Sequence, residues 1–222
     1  MEEQATYNVQ INPIAFDLET IADASVIPHL PPVDPDSRLK DPEKIKENIK
    51  EKKEKQKRQL ALQSSTCRIC CFGWFDGKQA GHILLNECEN NEAELLVKAW
   101  EILAQYNFYA TFNGNEFDVP VLLLRSLIHR IRPSVNIDTR RYQIGNHCDV
   151  RAVLGRWQKF AEGTLDFYAR VILGEPAKND LTGDQVQDYW EMEMFQEVAD
   201  YCENDCRILY RLWELVQKYY LL

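Results

Sequence analysis

Short runs of apolar residues, bounded by turn-forming residues, predict the strands of this 222-residue chain. The runs cover residues 14–20, 67–75, 80–85, 108–112 and 147–150. Asp76 and Gly77 separate the second run from the third, and an Asp-Gly pair is typical of a tight hairpin turn. The pattern therefore predicts one hairpin and three further strands.

Apolar residues spaced three and four apart predict amphipathic helices after the hairpin. The predicted helices cover residues 92–104, 116–130, a stretch around Leu154, 165–173, 184–190 and 194–220. Residues 131–143 and 174–183 predict loops. Strands interleaved with helices indicate an α/β fold with a central mixed sheet and helices on its faces. We expect a single domain over residues 1–222.

An insertion of about residues 31–63 follows the first predicted strand. Asp41 and Pro42 are typical of a helix start, and few apolar residues follow them, so an exposed helix is predicted. Residues 38–58 contain ten basic and five acidic side chains, a local charge of +5. This lysine-rich helix either contacts nucleic acid or is only solvated, and the charge pattern leaves both interpretations open.

Composition limits the classes of function. The net charge of −9 argues against a protein that binds polyanions over its whole surface. The longest apolar run, Val119–Leu124, is far below the roughly 20 residues that span a bilayer, so we expect no membrane association. Seven cysteines, and a chain that opens Met1-Glu2-Glu3 without a basic and apolar leader, indicate a reducing, cytoplasmic environment.

The cysteines and histidines are predicted to take no part in chemistry. Cys67, Cys70 and Cys71 suggest a zinc site, but no second pair of ligands follows at matching spacing, so packing in the core is the expected role. The four histidines have no partner at ligand spacing, and we expect them at the surface or in loops.

Four carboxylates are candidates for metal binding. Asp17 and Glu19 follow an apolar run and project to the same side if this segment is a strand. Asp118 lies near the start of a predicted helix, and Tyr201 and Asp205 lie one turn apart on the last helix. Carboxylate oxygens are the ligands of hard divalent cations, so two Mg²⁺ or Mn²⁺ ions are the expected cofactors.

Three motifs carry a resemblance to a known family. They are Phe16-Asp17-Leu18-Glu19-Thr20, Asn113-Gly114-Asn115-Glu116-Phe117-Asp118 and Tyr201-x-x-x-Asp205. In this order they resemble the motifs of DEDD-type 3′-5′ exonucleases of the ribonuclease H-like superfamily, in the tyrosine subclass. The histidine subclass would have His where this chain has Asp200. The chain is similar to the proofreading domain of family B DNA polymerases and to stand-alone exonucleases of phages.

The resemblance implies a ribonuclease H-like fold and hydrolysis of the terminal phosphodiester with two metal ions. It implies that Asp17, Glu19 and Asp205 hold one ion, and that Asp17 and Asp118 hold the other. Tyr201 would orient the attacking water, because a phenol with an ordinary pKa of about 10 is a poor base at neutral pH.

The resemblance and the basic insertion also indicate which residues contact the substrate. They are Thr20, Asn113, Phe117, Lys50, Lys53 and Lys57. Phe117 either stacks on the terminal base or packs in the core beneath its helix. The lysines would hold the strand only if the insertion lies over it.

The expected activity is removal of nucleotides from the 3′ end of DNA, with single-stranded DNA as the partner. RNA 3′-end trimming by the same chemistry stays open, because the sequence does not show how the 2′-hydroxyl is treated. A non-catalytic subunit of a replication or recombination complex is the alternative from another class. The intact set of carboxylates favours catalysis. A polymerase or recombination protein is the expected kind of partner in trans.

Overall fold

The computed structural model describes residues 11–158, 162–176 and 181–221. Its strands are β1 (Pro13–Ala22), β2 (Cys67–Phe75), β3 (Ala80–Leu84), β4 (Phe108–Thr111) and β5 (His147–Asp149). They form one sheet in the order β3-β2-β1-β4-β5. The pairs β1–β2 and β2–β3 are antiparallel, whereas β1–β4 and β4–β5 are parallel. The predicted α/β fold with a central mixed sheet is confirmed.

Helices follow the strands in the predicted order. They are α1 (Pro42–Ala61), α2 (Glu92–Leu103), α3 (Asp118–Ile128), α4 (Val150–Leu154), α5 (Leu165–Tyr168), α6 (Val186–Glu191) and α7 (Phe195–Tyr219). A π-helical turn, Ala169–Leu173, continues α5, and 3₁₀ turns cover Ala24–His29, Asn86–Cys88 and Gly183–Gln185. Of the predicted loop over residues 174–183, positions 177–180 lie outside the described residues, as does the opening of the chain, residues 1–3. None of the helices described is long and apolar enough to cross a membrane.

Alternation along β1 directs its side chains to two apolar clusters. Ile14 and Phe16, both 0% exposed, pack in the cluster that contains the apolar residues of α2 and α3. Ala15 packs in the other cluster, with apolar residues of α7. Because side chains on a strand alternate between the two faces of the sheet, Asp17 and Glu19 project from the same face as Ala15, toward α7.

The lysine-rich insertion forms α1, which begins as predicted. The Asp41 carboxylate accepts hydrogen bonds from the backbone N–H groups of Glu43 and Lys44. At the other end, Ala61 is buried, and its carbonyl accepts a hydrogen bond of 2.6 Å from the Thr20 hydroxyl. The helix is therefore fixed to β1 at its C-terminal end, while most of its side chains are exposed.

A buried ionic network fixes α3 to α2 and to the end of β1. Arg125 of α3 is 4% exposed and donates hydrogen bonds to Glu92 of α2, at 2.9 and 2.5 Å, and to Asp23, at 2.7 Å. Glu92 also accepts a hydrogen bond of 2.8 Å from the backbone N–H of Ile69 in β2. Since α3 begins at Asp118, this network also holds the helix that carries one candidate metal ligand.

The prediction for the cysteines is confirmed, whereas the prediction for one histidine is wrong. All seven cysteines are free and buried, which confirms their predicted packing role. For His147 the prediction of a surface or loop position is wrong. The ring is buried in β5, where Nε2 lies 2.8 Å from the Thr111 hydroxyl and Nδ1 lies 3.1 Å from the Asp138 carbonyl. β5 has only three residues, too few for a period to show which side chains are buried.

Candidate active site

The first motif lies on β1, where the pairing with β2 changes register. Asp17 lies opposite Gly73 and Glu19 lies opposite Cys71, but the next pair joins Thr20 to Ile69. One residue of β2 is therefore left over beside Glu19, which is the pattern of a β-bulge. Bulges bend and twist a strand locally, so the side chains before and after the bulge are directed differently. Glu19 is only 6% exposed on the face toward α7.

The second motif lies beside the first because β4 is short. β4 pairs with β1 only as far as Ala15, so the backbone of the following β1 residues is left unpaired on that side. The backbone N–H of Leu18 instead hydrogen-bonds to the carboxylate of Asp118, which is 3% exposed at the start of α3. The end of a parallel strand and the start of a helix together place the third carboxylate next to Asp17.

Asp149 holds the second motif in place. The Asp149 carboxylate, at the end of β5, accepts hydrogen bonds from the backbone N–H groups of Asn113 at 2.9 Å and Asn115 at 3.0 Å. It also caps α4 through the N–H of Ala152 at 3.1 Å. Asn113 has a φ of 71°, a left-handed conformation that an Asn adopts more readily than most residues. Asp149 therefore fixes the turn from which Asp118 extends.

Helix α7 carries the third motif and lies very close to the sheet. A Cβ atom added to Gly73 would come within 2.6 Å of the Cys202 Sγ atom, so only glycine allows this approach. The same sulfur lies 3.6 Å from the carbonyl oxygen of Asp17 and 4.0 Å from its Oδ2 atom. Tyr201 and Asp205, one turn apart on α7, are thereby brought to the acidic end of β1, and the Tyr201 hydroxyl hydrogen-bonds to the Asp205 carboxylate.

The electrostatics show that these groups converge on one place. Burial, followed by repulsion from Asp118, the Cys202 thiol, Glu19 and Asp205, raises the pKa of Asp17 well above its usual range. Burial is also the largest cause for the other acidic groups of the site. It raises the pKa of Glu19, raises that of Asp118 to about 8, and raises that of Tyr201 together with the charges of Asp205, Glu19 and Asp17.

Such a site is unfavourable without a cation. Buried carboxylates in contact with one another either take up protons or bind positive charge. Ligand atoms of Asp17, Glu19 and Cys202 lie within 4.8 Å of one another, close enough to share one ion. Hard carboxylate oxygens predominate among the donors, which fits Mg²⁺ or Mn²⁺. The acidic groups present therefore fit the predicted divalent ions.

Comparison with known proteins agrees with this geometry. A sequence model of a family described as predicted 3′-5′ exonucleases related to the exonuclease domain of PolB matches residues 59–219. The chain belongs to this exonuclease family. Asp118, Tyr201 and Asp205 lie within the matched range, whereas Asp17 and Glu19 precede it. The assignment of the first motif thus depends on its resemblance to the family motif and on its position in the fold.

One curated relative of the exonuclease domain is DNA polymerase 1 of Sulfolobus acidocaldarius. The two proteins are 27% identical over 104 residues. The match covers 40% of this chain and 12% of the polymerase, so this chain spans a small part of that relative. The likeness concerns one region of the polymerase and does not extend to the rest of it.

The remaining residues that were predicted to bind substrate lie in different surroundings. The Thr20 hydroxyl is used in the hydrogen bond to α1. The Asn113 side-chain oxygen accepts a hydrogen bond of 2.9 Å from Arg151, and Phe117 is half-buried against the cluster beneath α3. Phe117 thus packs against the core, which is one of the two roles predicted for it.

The three lysines differ along α1. Lys50 and Lys53 are exposed on the part of α1 away from its buried end. Lys57 is half-buried and forms an ion pair with Glu191 of α6, next to a second pair of 2.8 Å between Arg58 and Asp188. Lys57 therefore helps to hold α1 against α6. The side chains of Lys50 and Lys53 face solvent.

Asp149 ends a strand, where an Asp is typical of the cap of a following helix, and it does cap α4. Gly73, by contrast, has a signal in the sequence that was not used. Gly73 interrupts an otherwise bulky strand, and a glycine inside a strand often marks a close backbone approach. The sequence shows that Gly73 is unusual within its strand, but it does not show that Cys202 is the residue that approaches it.

Proposed function

We propose that this member of the exonuclease family is a metal-dependent enzyme that removes nucleotides from the 3′ end of single-stranded DNA. The observation that supports it best is the convergence of Asp17, Glu19, Asp118, Tyr201 and Asp205 from three separate elements. Packing alone gives no reason to bury so many acidic groups together, whereas two divalent cations do.

Each acidic residue has a role in this proposal. Asp17, Glu19 and Asp205 would hold one ion, and Asp17 together with Asp118 would hold the other. Bound divalent ions lower the pKa of water and neutralise charge that develops on the phosphate.

Tyr201 acts as a positioning group for the attacking water in this mechanism. Its pKa is raised by burial and by the charges of Asp205, Glu19 and Asp17, so the phenol stays protonated at neutral pH and cannot take the proton of the water. Its hydroxyl donates its proton to the Asp205 carboxylate, so the phenol oxygen accepts a hydrogen bond from the water and thereby aligns the water with the phosphorus atom.

The proposal also specifies the substrate, the domain organisation and the partner. We propose that DNA is preferred to RNA, since the named relative is a DNA polymerase. The domain would be a single unit with an insertion over about residues 31–63, and the exposed lysines of α1 would contact the single strand. A polymerase or recombination protein would supply 3′ ends in trans. RNA trimming and a binding-only role are the outcomes that compete with it.

A 5′-labelled single strand tests the activity. With Mg²⁺ or Mn²⁺ the wild-type protein should produce a ladder that shortens from the 3′ end, and excess chelator should stop it. Asp17→Ala should lower the rate by about 10³-fold or more, since one carboxylate serves both ions. Asp200→Asn is the control. Asp200 directly precedes Tyr201, but its side chain is exposed and accepts a hydrogen bond from Gln196.

The same assay separates the competing functions. An RNA strand of identical sequence shows the sugar preference, and degradation of RNA alone would favour the trimming alternative. Equal degradation of DNA by the wild type and by Asp17→Ala contradicts the proposal. Binding of DNA without any cleavage, in either metal, would favour the non-catalytic role.

A further inference from the structure

A cavity adjoins the second motif on the side of β5. Its lining includes Asn113, Asn115, Arg141, Asp149, Arg151 and Trp157. Three of these residues, Asn113, Asn115 and Asp149, already belong to the candidate active site through the hydrogen bonds between Asp149 and the second motif. Asp149 also lies near enough to Asp118 for its charge to raise the pKa of that group. The cavity therefore lies next to the acidic site.

The charged residues that line the cavity are two arginines, Arg141 and Arg151, and two acidic residues, Glu116 and Asp149. The chain segment that supplies the arginines is basic although the protein is acidic. Residues 130–156 contain six arginines and two aspartates in a chain whose net charge is −9. Arg151 donates a hydrogen bond to the Asn113 side chain, which directs its guanidinium to the second motif. Arg141 is paired at 2.7 Å with Glu116, but both side chains are more than half exposed. An exposed pair of this kind is weak, because water competes for both charges, so a phosphate can replace Glu116 at little cost.

Trp157 is held at this cavity by an unusual backbone. Its φ is 60° and that of Arg156 is 50°, a left-handed conformation that bulky residues rarely adopt. Such a conformation is unfavourable for residues other than glycine and persists only where the surroundings fix it. Here the backbone N–H of Trp157 donates a hydrogen bond of 2.7 Å to the Ala152 carbonyl, which ties the residue to α4. The Tyr142 ring, also on a residue with positive φ, lies 6.0 Å from the indole.

We propose that this cavity binds a nucleotide upstream of the scissile 3′ end, with its base stacked on Trp157 and its phosphate in contact with Arg141 and Arg151. Basic side chains interleaved with an aromatic face are the combination that single-stranded nucleic acid requires, because phosphates need charge and every base has a stacking face. The choice of a DNA single strand as the ligand rests on the proposed function. The acidic site then receives the terminal nucleotide, and the cavity holds the strand that precedes it.

Equilibrium binding tests the subsite apart from catalysis. The probe is 5′-fluorescein-labelled (dT)12, measured by anisotropy at low salt in excess chelator, so that no strand is cleaved. Trp157→Leu should weaken binding about 10-fold, and Trp157→Phe, which keeps an aromatic face, should retain most of the affinity. Arg141→Gln should weaken binding and reduce the salt dependence by about 0.7 in logarithmic slope. Arg211→Gln is the charge control, because that arginine also pairs with a surface glutamate, Glu175, but lies near the β2–β3 hairpin.

A minimal substrate separates this subsite from the proposed function. Thymidine 5′-monophosphate p-nitrophenyl ester has no upstream nucleotide, so Trp157→Leu should hydrolyse it at the wild-type rate while its KM for (dT)12 rises about 10-fold. Unchanged affinity of Trp157→Leu for (dT)12 would overturn the subsite, whatever the activity. A wild-type protein that hydrolyses neither substrate would contradict the proposed function, and the binding difference between Trp157→Leu and Trp157→Phe would still decide the subsite.

Discussion

Asp17 and Gly73 lie directly opposite each other in the antiparallel pair of β1 and β2. One supplies the carboxylate at the centre of the candidate site, and the other leaves the space into which the Cys202 side chain of α7 fits. The distance between α7 and the sheet is therefore set by the same residue pair that carries the candidate metal ligand. Since Tyr201 and Asp205 are on α7, the geometry of the site depends on the absence of a side chain at Gly73.

The close contact between Gly73 and Cys202 can be tested by substitution. Gly73→Ala should move α7 away from the sheet and lower kcat by about 100-fold, because small displacements of catalytic groups have effects of that size. The double variant Gly73→Ala with Cys202→Ala removes the sulfur that lies 2.6 Å from the added Cβ, so it should recover part of the rate. A single variant with wild-type kcat and wild-type metal affinity would contradict the explanation.

Asp149 should act on the metal site without touching a metal. Asp149→Asn replaces one of two acceptor oxygens by an amide donor, so an N–H of the second motif loses its partner and the turn before Asp118 shifts. We expect Mn²⁺ affinity, measured by calorimetry, to fall about 10-fold. Asp76→Asn is matched, since Asp76 also accepts two backbone N–H groups, at 2.8 and 2.7 Å, in the hairpin turn. Equal Mn²⁺ affinity in both variants would mean that Asp149 has only a structural role.

Much of the fold follows from local pattern. The Asp41 cap, the Asp-Gly hairpin and the apolar periods of α2 and α7 depend on residues close together in sequence, and each of these features is present where it was predicted. The acidic side chains of the site were also visible, because carboxylates on separate strands and helices have a chemical use that packing does not explain.

What could not be predicted depends on contacts between distant segments. The bulge beside Glu19 and the approach of Cys202 to Gly73 arise only when strands and α7 are assembled. Burial of His147 depends on Thr111 in the adjacent strand, 36 positions earlier. The ion pair of Lys57 with Glu191 likewise joins the insertion to a helix far along the chain, so the sequence could not separate this lysine from its exposed neighbours.

The buried network at α3 should contribute strongly to stability. Arg125→Met keeps much of the side-chain volume but leaves Glu92 and Asp23 without their cation, and we expect a loss of about 3–5 kcal/mol in the free energy of unfolding. Chemical denaturation measures it. Arg140→Met is the control, because Arg140 pairs with Asp138 while its own side chain is 70% exposed, so a much smaller loss is expected. Similar losses in both variants would show that the network is no stronger than a surface pair.

The lysines of α1 should contribute to DNA affinity unequally. Replacement of Lys50 and Lys53 by Gln should weaken binding of a single strand and reduce its salt dependence by about 1.4 in logarithmic slope, since both are exposed. Lys57→Gln should have a smaller effect on binding, because Lys57 already pairs with Glu191. Lys98→Gln on α2, where the lysine pairs with Glu94, controls for net charge. Wild-type salt dependence in the double variant would show that α1 is only a solvated helix.

The raised pKa of Asp118 predicts how stability depends on pH when no divalent ion is bound. Asp118 has an ordinary pKa of 3.8 when unfolded and one of about 8 in the folded protein, mainly because it is buried. Between these values the folded state holds a proton that the unfolded state has lost, so stability falls as pH rises through that window. Asp118→Asn removes the part of this dependence that Asp118 causes, and Asp17 and Glu19, whose pKa values are also raised, keep their own part. In chelator at pH 7 the Tm of Asp118→Asn should therefore exceed that of the wild type by several degrees, and the difference should vanish near pH 4.

Divalent ions should reverse that order. Ions that bind only the folded state stabilise it by mass action, by about 2.7 kcal/mol at one hundred times Kd, so saturating Mn²⁺ should raise the wild-type Tm at pH 7. The rise should be much smaller for Asp118→Asn, which lacks one ligand, and unchanged for Asp200→Asn, whose carboxylate is exposed outside the site. A Tm difference between wild type and Asp118→Asn that is the same at pH 4 and pH 7 would show that Asp118 titrates normally in the folded protein. Burial of Asp118 would then not require a cation.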